Sequence, residues 1–385
     1  MAREITPRVP RVVHLTTVHR ATDVRIFHKE CRTLANAGYE VILVAPNVPD
    51  SVIGNVTIRG VQVPTGRWLR MTIGAWRTYR KAKTLGADVY HLHDTELLPF
   101  GRLLRGRRCA VVFDMHEDLP AAILTKPWIP RLMRDAIAKL VALLERPLMR
   151  GMAVIFAERS YADRYGWVKN ATDVLNLPLV GALSAAQEGV DVRDIPTVGY
   201  LGTVEEVRGS LTMLNAIQIL NARYGAVAWE CVGPLTSSHR RELEAHVNDH
   251  ALLHVRFHGY QSPERSWQLM ASCHVGLAVL QDHPNYVTSY PTKLFEYMGL
   301  GLPVVVSDFP LWREVVEGAQ CGLFVEPDRP DQLAKAIQYL LEHRGEARAM
   351  GARGRNAVLE KYSWRSEADK LLALYRMQVR SDADA

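Results

Sequence analysis

The stretch RVVHLTTVHRATDVRIFHKECRTLANAGYEVILVAP, residues 11–46, holds two apolar runs separated by a helical pattern. The runs at 11–17 and 40–46 are typical of strands that are covered on both faces. Between them, apolar residues recur at helical spacing over 24–37, and Gly38 follows as a helix end. A strand, a helix and a second strand in so short a span predict a βαβ unit.

The same alternation of strand and helix patterns continues along the chain and is interrupted once, by the loose stretch GALSAAQEGVDVRDIP at 181–196. Continuous apolar strands alternating with helices predict parallel sheets with helices on both faces. The expected fold class is therefore α/β, with two Rossmann-like domains. Further strand patterns lie at 56–63, 88–93, 109–115 and 152–157 before the loose stretch, and at 197–202, 227–233, 254–259, 274–280, 302–308 and 322–327 after it.

These patterns divide the chain into four segments. Residues 1–182 are expected to form an N-terminal Rossmann-like domain and 183–196 a linker. Residues 197–364 are expected to form a C-terminal Rossmann-like domain, and 365–385 a final helix that returns toward the first domain. Because parallel sheets bind ligands beyond the carboxyl ends of their strands, two such domains predict a ligand cleft between them.

The composition fits a globular protein. The chain has 385 residues, of which 48% are hydrophobic and 23% charged, and this excludes a disordered polymer and suits two domains. Its five cysteines are scattered and form no CxxC pair, so neither a disulfide framework nor a zinc knuckle is expected. This cysteine usage predicts a reducing, cytoplasmic location. No apolar run approaches the ~20 residues of a spanning helix, and the first residues show no signal-peptide pattern.

Charge is unevenly distributed between the two halves. Residues 1–190 carry 27 Lys and Arg against 17 Asp and Glu, a net +10, whereas 191–385 carry 20 against 24, a net −4. A basic half attracts anions, which include acidic lipid headgroups and phosphorylated acceptors. Nucleic acid is not an expected partner, because no recognised binding module or aromatic stacking surface is visible.

Two basic stretches carry tryptophan: RWLRMTIGAWRTYRKAK at 67–83 and KPWIPRLMRDAIAKLVALLERPLMRG at 126–151. Both predict helices with an apolar face and a cationic face. Such helices either pack on their own domain or lie on an anionic membrane, and both interpretations stay open. The expected location is therefore the cytoplasm, with peripheral contact at the inner membrane face as the second interpretation.

The stretch TSYPTKLFEYMGLGLPVVVSDFPLWREVVE at 288–317 concentrates charged groups at a predicted helix start. Pro291 suits the first turn of a helix, whose free N–H groups form an anion site. Lys293 in that turn opposes the helix dipole, and a bound pyrophosphate would explain its presence. Glu296 shares a helix face with Lys293, and its carboxylate suits a ribose diol. An ordinary surface Lys–Glu pair is the alternative.

A second segment, GYLGTVEEVRGSLTMLNA at 199–216, predicts a strand, a short loop and a helix. Gly202 allows close backbone approach at the strand end, and Arg208 is placed to hold phosphate oxygens in a bidentate way. A plain loop with an exposed arginine is the alternative. No G-x-G-x-x-G fingerprint occurs here, which argues against an NAD-dependent dehydrogenase.

Together these two segments resemble the retaining glycosyltransferases of family 4, which have the GT-B fold of two facing Rossmann-like domains. The resemblance covers nearly the whole chain, and PTKLFEYMGLGLPVV is its most specific part. Arg208 stands where the family usually has the Lys of a KG pair, and Thr203 where an Arg often stands. Lys293 lies in the helix that carries the second Glu of the family's paired motif, here Glu296. Thr288 replaces the first Glu of that pair.

The resemblance implies roles for the matching positions. The catalytic residues it implies are Arg208, Lys293 and His116, the last in the strand-end segment VFDMHED, where a capping or buried histidine is the alternative. The first loop, with its D-x-R-I-F pattern, implies acceptor-side positions for Asp23 and Arg25. The donor-binding residues it implies, all in the C-terminal domain, are Gly202, Thr203, Arg208, Lys293, Leu294, Glu296, Tyr260 and Glu314.

The strand end DVYHLHDTELLPFG carries two histidines and two acids. His91 and His93 point to the same strand face, and with Asp94 and Glu96 they suggest a metal site. No further ligand pattern is apparent, and the resembled fold needs no metal, so neither a metal nor another cofactor is expected. Asp94 and Glu96 are instead predicted to bind the acceptor, with a capped strand–helix turn as the alternative.

The expected function is that of a metal-independent, retaining glycosyltransferase. A nucleotide-diphosphate sugar, with UDP favoured by family frequency, would donate to a hydroxyl acceptor in glycan, glycolipid or metabolite biosynthesis. Two alternatives stay open. One is a GT-B sugar-nucleotide epimerase or phosphorylase. The other is a non-catalytic nucleotide-sugar-binding subunit, which the loss of the first Glu at Thr288 favours.

Overall fold

The computed structural model of the chain describes residues 8–106, 109–126 and 129–380. Trp128, which belongs to the basic stretch at 126–151, lies outside the described residues. Among the residues that are described, no helix combines the length and the apolar character needed to cross a membrane.

The chain divides into two compact units. Unit 1 comprises the chain up to Asn176 and again from Arg365, and unit 2 comprises Leu177–Trp364. Each unit contains one mainly parallel sheet with helices packed on it, so the α/β fold class predicted from the alternating patterns is confirmed. The unit boundary lies at Asn176 and not at residue 182, where the sequence pattern had suggested it.

The strands of unit 1 are β1 (Arg11–Leu15), β2 (Glu40–Pro46), β3 (Ser51–Ile53), β4 (Val56–Val61), β5 (Val89–Leu92), β6 (Ala110–Met115), β7 (Ala153–Phe156) and β8 (Ala171–Asp173). They form an eight-stranded sheet in the order β3-β4-β2-β1-β5-β6-β7-β8. All neighbours are parallel except β3 and β4, which form an unpredicted hairpin at the sheet edge. Its two-residue turn is stabilised by Gly54, which adopts a φ of 58°.

The apolar runs that predicted strands form the core of unit 1. Every residue of β5 and β7 is buried, and so are all residues of β1 after Arg11. Continuous burial along a strand requires cover on both sheet faces, which is why these runs do not alternate between apolar and polar residues. The buried residues of β1 and β5 include His14, His91 and several polar neighbours that belong to the site described below.

The helices of unit 1 before Asn176 are α1 (Arg32–Asn36), α2 (Arg67–Leu69), α3 (Ala75–Leu85), α4 (Leu98–Leu104), α5 (Leu119–Thr125), α6 (Arg131–Met149) and α7 (Tyr161–Arg164). Wide π-helical turns, Val24–Cys31 and Arg70–Gly74, lead into α1 and α3, and a 3₁₀ turn, Thr95–Leu97, leads into α4. The wide turn at Val24–Cys31 begins at Asp23, whose carbonyl oxygen accepts the N–H of His28 at 3.2 Å.

The strands of unit 2 are β9 (Thr197–Leu201), β10 (Ala228–Val232), β11 (Val255–Gly259), β12 (Val275–Ala278), β13 (Val304–Ser307) and β14 (Gly322–Val325). They form a fully parallel six-stranded sheet in the order β11-β10-β9-β12-β13-β14. Each of the six lies within a strand pattern that the sequence predicts. The core on this sheet is apolar and includes the fully buried rings of Tyr200 and Trp229.

The helices of unit 2 are α8 (Val180–Gln187), α9 (Ser210–Arg223), α10 (Ser237–Asp249), α11 (Pro263–Ala271), α12 (Pro284–Val287), α13 (Thr292–Gly299), α14 (Pro310–Ala319), α15 (Pro330–Glu342) and α16 (Arg344–Glu360). The stretch at 183–196, predicted to be a linker, therefore begins inside a helix. Helix α8 packs on α11 and α13 and fully buries Leu183. This tertiary contact stabilises a helix that the sequence pattern alone did not indicate.

The final helix, α17 (Trp364–Arg380), belongs to unit 1 after its first residue. Leu371 and Tyr375 on this helix are fully buried. The carboxylate of Glu367 accepts the backbone N–H of Leu175 at 2.8 Å. These contacts attach the last described segment of the chain to the sheet of unit 1.

Candidate donor and acceptor sites

Unit 2 has its topological switch point between β9 and β12, where the strand order reverses direction along the sheet. Ligands of parallel sheets bind at such points, beyond the carboxyl ends of the strands. Gly202 follows β9 with a φ of 131°. A Cβ on Gly233, which follows β10, would lie only 1.9 Å from the carbonyl oxygen of Gly202, so this close approach of two backbones requires glycine.

Lys293 is the buried cation at this switch point. Its side chain is 7% exposed, and its Nζ lies 3.9 Å from the ring centroid of Tyr200 and makes no hydrogen bond. A Cβ on Gly202 would come within 3.0 Å of the same Nζ, so the ammonium lies against the glycine turn. Burial, and then repulsion from Arg208, lowers the pKa of Lys293 well below its usual value. An anionic ligand here would raise the pKa of Lys293 again and accept hydrogen bonds from its Nζ.

Arg208 ends the 3₁₀ turn Glu206–Arg208 that connects β9 to α9. The next residue, Gly209, has a φ of 76°, and a Cβ there would lie 2.0 Å from the carbonyl oxygen of Val279. The guanidinium of Arg208 lies over the ring of Tyr286, 5.3 Å from its centroid, and its Nε is 3.6 Å from Glu205. That Nε makes no hydrogen bond, so Arg208 retains donor capacity for phosphate oxygens.

The start of α13 adds backbone groups to the site. Pro291 precedes the helix and provides no side-chain cap for its first turn. Thr288, at the position of the missing first Glu, is exposed and donates its hydroxyl to the carbonyl oxygen of Pro284. A helix N-terminus without a side-chain cap favours an anion, and here it carries Lys293 in its first turn.

Three further donor-side candidates form hydrogen bonds with other residues of unit 2. Glu296 is half-buried and accepts the indole N–H of Trp267 at 3.0 Å. The carbonyl oxygen of Thr203 accepts the hydroxyl of Tyr200 at 2.8 Å, which holds the turn after β9. The side chain of Leu294 is fully buried and its N–H donates to the carbonyl oxygen of Pro291, so its side chain packs within unit 2, and its role in donor binding stays a prediction.

The structure brings some predicted donor residues together and leaves others apart. Gly202, Arg208 and Lys293 lie around Tyr200. Tyr260 and Glu314 are both exposed, and their donor-binding roles stay predictions. The sequence analysis did not single out Tyr200. Its position in β9, directly before the glycine turn, was the one available signal for it.

Unit 1 has its switch point between β1 and β5, and here two predicted acceptor residues hold the loop. Asp94 accepts the hydroxyl of Thr16 at 2.9 Å and the N–H of Thr17 at 2.6 Å. Glu96 accepts the hydroxyl of Thr17 at 2.9 Å and pairs with Arg70 at 3.1 Å. Asp94 is also nearly buried, so it fits the strand–helix turn alternative, and its prediction as an acceptor contact is corrected.

Asp23 and Arg25 occupy different environments. The carboxylate of Asp23 caps the wide turn by accepting the N–H groups of Arg25 and Ile26. Arg25 is 4% exposed and forms a bidentate pair with Asp114, at 2.8 and 2.7 Å. It also donates to the carbonyl oxygen of Val174 at 2.9 Å. The prediction that Arg25 faces an acceptor is therefore wrong in this structure, because its charge is used inside unit 1.

His116 follows β6 and contacts Asp114, which in turn pairs with Arg25. Of these three residues, His116 is the most exposed. Its Nε2 lies 2.9 Å from Asp114, and its side chain is 23% exposed. Burial alone would raise the pKa of Asp114, but the charge of Arg25 and the imidazole of His116 hold it well below its usual value. An ionised carboxylate of this kind fixes the orientation of the His116 ring. His19 stacks on the other side of His116, at 5.3 Å between ring centroids.

A cleft of about 520 Å³ lies beside the first loop of unit 1. It is lined by residues 18–22 of that loop, including His19 and Arg20, and by residues that follow β2. His19 contacts both Asp23 and Asp94, which connects the cleft wall to the loop network. The cleft therefore lies beside the predicted acceptor-side loop, and its lining is mainly apolar, with His19 and Arg20 among the polar residues.

Four buried residues of unit 1 form a cluster that the sequence analysis missed. Candidate ligand atoms of His14, Glu30, His91 and His93 all lie within 4.8 Å of one another. The set suggested by the sequence does not form, because Asp94 turns toward the loop after β1. The period of two in β5 predicted that His91 and His93 share a face. The arrival of Glu30 from the wide turn depends on tertiary packing.

Burial shapes the ionisation of this cluster. It lowers the pKa of His14 and of His91 well below the usual value, and that of His93 to about 4. It raises the pKa of Glu30 well above its usual value. In each of these groups burial therefore favours the neutral form over the charged form.

The basic helices of unit 1 expose large apolar side chains. On the segment from α2 to α3, Trp68 is 70% exposed and Trp76 is 46% exposed, and the guanidinium of Arg80 lies over Trp76. On α6, the exposed apolar side chains include Leu132 and Leu143, at 98% and 69%. Neither helix buries its whole apolar face within unit 1.

Comparison with known proteins assigns both halves of the chain. Residues 24–172 match the family model for the glycosyl transferase 4-like domain, and residues 195–343 match that for glycosyl transferases group 1. The chain is 26% identical over 353 residues to a phosphatidyl-myo-inositol mannosyltransferase of Mycolicibacterium smegmatis, covering 89% of this chain and 86% of the relative. A D-inositol 3-phosphate glycosyltransferase of Rhodococcus jostii is 28% identical over 204 residues, covering 51% and 43%.

Solved structures show the same fold. Sucrose-phosphate synthase from Thermosynechococcus elongatus matches with a TM-score of 0.74 at 18% identity, covering 96% of this chain and 99% of that one. HepE from Anabaena, in complex with UDP and glucose, matches with a TM-score of 0.69 at 14% identity, covering 96% and 100%. The fold is therefore GT-B. The two family matches together span well over half of the sequence, so the chain belongs to the glycosyltransferases, with a 4-like domain followed by a group 1 domain.

Proposed function

We propose that this glycosyltransferase transfers a sugar from a UDP-sugar to a hydroxyl acceptor, with retention of the anomeric configuration and without an added metal ion. The observation that carries the proposal is the buried ammonium of Lys293, which makes no hydrogen bond and extends from the first turn of α13 to the glycine turn at Gly202. The choice of UDP is supported by the UDP and UDP-glucose complexes of the structurally similar HepE.

The chemical task of the site is to stabilise the departing nucleoside diphosphate. Lys293, Arg208 and the N–H groups of the first turn of α13 would bind the diphosphate oxygens and offset the charge that develops on them. Preorganised donors of this kind contribute ~10²–10³-fold to a rate each. Two protein cations and a helix N-terminus perform the role that a divalent metal has in other transferases, so no metal is required at this step.

The acceptor would bind in unit 1. His116, oriented by the ionised Asp114, would hold or polarise a sugar hydroxyl, and the cleft beside His19 and Arg20 would receive the acceptor. The named activities of the relatives, on phosphatidyl-myo-inositol and on D-inositol 3-phosphate, support an acceptor that carries a phosphate. The net charge of +10 over residues 1–190 favours the same class.

A lipid-linked acceptor would bring the enzyme to a membrane surface. The exposed tryptophans of the α2–α3 segment and the exposed leucines of α6 lie among Arg and Lys side chains, which suits peripheral contact with anionic lipid. We include this contact in the proposal as a property of unit 1. It requires no membrane-spanning element.

The proposal is tested by turnover of UDP-, GDP- and ADP-sugars in metal-free buffer, with NMR assignment of the product anomer. Lys293→Ala and Arg208→Ala are expected to lower turnover by about 10²–10³-fold. Because truncation of a buried lysine leaves a cavity, Lys293→Met provides a variant that retains the side-chain volume. Lys335→Ala changes an exposed lysine of α15 and is the matched control.

The outcomes of this assay distinguish the proposal from other functions. Near-wild-type turnover in both Lys293→Met and Arg208→Ala would refute the diphosphate site. An inverted anomer would refute retention. Nucleotide binding without transfer to any acceptor would indicate a non-catalytic binding subunit, and phosphate-dependent release of a sugar phosphate would indicate a phosphorylase.

A further inference from the structure

The buried cluster in unit 1 combines ligand atoms from three separate elements. His14 lies on β1, His91 and His93 lie on β5, and Glu30 lies in the wide turn Val24–Cys31. All four side chains are at most 3% exposed. Their candidate ligand atoms lie within 4.8 Å of one another, although β1, the wide turn and β5 are separate segments of the sequence.

The contacts of the protein leave several of these atoms unsatisfied. The Nε2 atoms of His14 and His91 and both carboxylate oxygens of Glu30 are buried without a hydrogen bond. One of those oxygens lies 3.1 Å from Arg25 as an ion pair, and the other faces the two histidines of β5. Buried polar atoms without partners are rare in folded proteins, and several in one cluster indicate a missing common partner.

The opposite sides of the rings are already held. The Nδ1 of His91 lies 2.7 Å from the hydroxyl of Tyr375, and the Nδ1 of His93 lies 3.4 Å from Asp114. Metal-binding histidines characteristically direct the second ring nitrogen to a carboxylate, a carbonyl or a hydroxyl, which fixes the ring and leaves Nε2 for the metal. The Nε2 of His91 makes no hydrogen bond and lies 3.8 Å from Glu30. The Nε2 of His93 lies 2.9 Å from the Nδ1 of His14, so the imidazoles of β1 and β5 converge at the cluster.

We propose that His14, Glu30, His91 and His93 bind one divalent transition-metal ion, for which zinc is the best fit. The Oε2 atom of Glu30 lies 3.8 Å from Nε2 of His91 and 3.9 Å from Nε2 of His93. Ligands of a tetrahedral zinc with bonds of about 2.0–2.1 Å lie roughly 3.4 Å apart, so small side-chain movements close the site. Three imidazoles and one carboxylate match the donor preference of zinc over magnesium or calcium.

The site has a structural role. Four protein ligands complete a tetrahedral shell and leave no open position for substrate, and the cluster is closed to solvent. The metal connects β1, β5 and the wide turn. It therefore fixes the strand ends next to the loop after β1, which Asp94 holds. It adds a site to the proposed transferase and takes no part in donor chemistry, which needs no added metal.

The test begins with the full chain, free of any affinity tag and purified without chelator. Metal analysis by mass spectrometry is expected to find about one zinc per chain. Dialysis against a strong chelator is expected to lower Tm, and added Zn²⁺ alone is expected to restore it. Loading the stripped protein with Co²⁺ should give the intense visible absorption of a tetrahedral cobalt site.

Matched variants separate this cluster from its neighbour, because His93, Asp114 and His116 form a second group of candidate ligands. His14→Gln and Glu30→Gln should abolish the cobalt spectrum and the bound zinc, whereas His116→Gln should retain both. The proposal is overturned if the folded wild-type chain holds no metal and shows neither a Tm shift nor a cobalt spectrum. It is also overturned if only His116→Gln loses the metal.

Discussion

Lys293 has two ionisation states whose balance depends on the donor. In the free protein, burial and the charge of Arg208 lower the pKa of Lys293, and a bound diphosphate would raise it again. Binding therefore takes up a proton at pH values between the two pKa values. We expect the affinity for UDP to fall as pH rises through that range.

This linkage is measurable by titration calorimetry in two buffers that differ in ionisation enthalpy. The apparent enthalpy of UDP binding should differ between the buffers for the wild type and should be the same for Lys293→Met. Identical wild-type enthalpies over the whole stable pH range would show that Lys293 does not change its protonation state on binding.

The role of a single residue could be predicted from the sequence only where its partners are close to it along the chain. Lys293 and Arg208 could be chosen as donor-site candidates because a helix start and a strand–loop–helix unit are local features of sequence. His14 and Glu30 were missed, since they reach the same cluster only through the packing of β1 and the wide turn. Arg25 was expected to face the acceptor, but its partner Asp114 is distant in sequence, and no local pattern indicated the ion pair.

The turn into α9 sets a second prediction, at the scale of an element. Gly209 has a positive φ and no room for a Cβ beside the carbonyl oxygen of Val279. Gly209→Ala should therefore lower the free energy of unfolding of unit 2 by more than about 1 kcal/mol. It should also displace Arg208 and weaken UDP binding.

Gly345→Ala is the matched control, because Gly345 lies in α16 and a Cβ there would contact nothing within 4 Å. Gly345 is the second residue of that helix and has no positive φ, so alanine, the better helix former, should leave this variant neutral or slightly more stable than the wild type. Chemical denaturation followed by circular dichroism compares the two. Equal stabilities would mean that the turn at Gly209 relaxes without cost.

The segment from α2 to α3 carries a prediction about membranes. Simultaneous Trp68→Ala and Trp76→Ala substitution should reduce co-sedimentation with vesicles that contain phosphatidylglycerol, and added salt should weaken wild-type binding, because both apolar insertion and screened charge contribute. Leu253→Ala, at an exposed apolar position of unit 2, should leave binding unchanged. If the wild-type protein does not co-sediment with anionic vesicles at low salt, contact between the α2–α3 segment and the membrane is excluded.

Elements with long apolar runs were easier to predict than short or marginal ones. The strands of the unit 2 sheet follow from continuous apolar sequence. The β3–β4 hairpin was missed because β3 has only three residues and is largely exposed, whereas β4 lies within the predicted strand pattern at 56–63. The turn at Gly54 is the main local signal of the hairpin. Helix α8 was taken for a linker because its stability comes from burying Leu183 against α11 and α13.

At the scale of the whole molecule, unit 1 contributes a pH-dependent stability through Glu145. Burial raises the pKa of Glu145 to about 7, and its carboxylate accepts the hydroxyl of Tyr165 at 3.1 Å. The folded chain then holds a proton that the unfolded chain releases near pH 4.5. The free energy of unfolding should therefore fall as pH rises from 4.5 to about 7.

Glu145→Gln is expected to remove this contribution and to flatten the pH dependence of Tm over that range. Measurement of Tm for both proteins across the range gives the comparison. Parallel curves for the wild type and Glu145→Gln would show that the carboxyl group of Glu145 titrates normally in the folded chain.

The two-unit organisation of the molecule was predictable because each unit has its own series of alternating strand and helix patterns and its own core. The position of the boundary between the units was harder to predict, because Asn176 and the residues after it have no distinctive composition. The proposed donor site needs only residues of unit 2: its sheet has one switch point, and Gly202, Arg208 and Lys293 surround the β9 end of it.

The most direct test of the donor site is a thermal-shift panel with UDP, GDP, ADP, dTDP and CMP in metal-free buffer, on the wild type, Lys293→Met and Lys335→Ala. A nucleotide at ~100 times its Kd should stabilise the fold by about 2.7 kcal/mol. We expect UDP to raise the Tm of the wild type and of Lys335→Ala, and not that of Lys293→Met. An equal shift in Lys293→Met, or no shift of the wild type with any nucleotide, would contradict a nucleotide-diphosphate site built on Lys293.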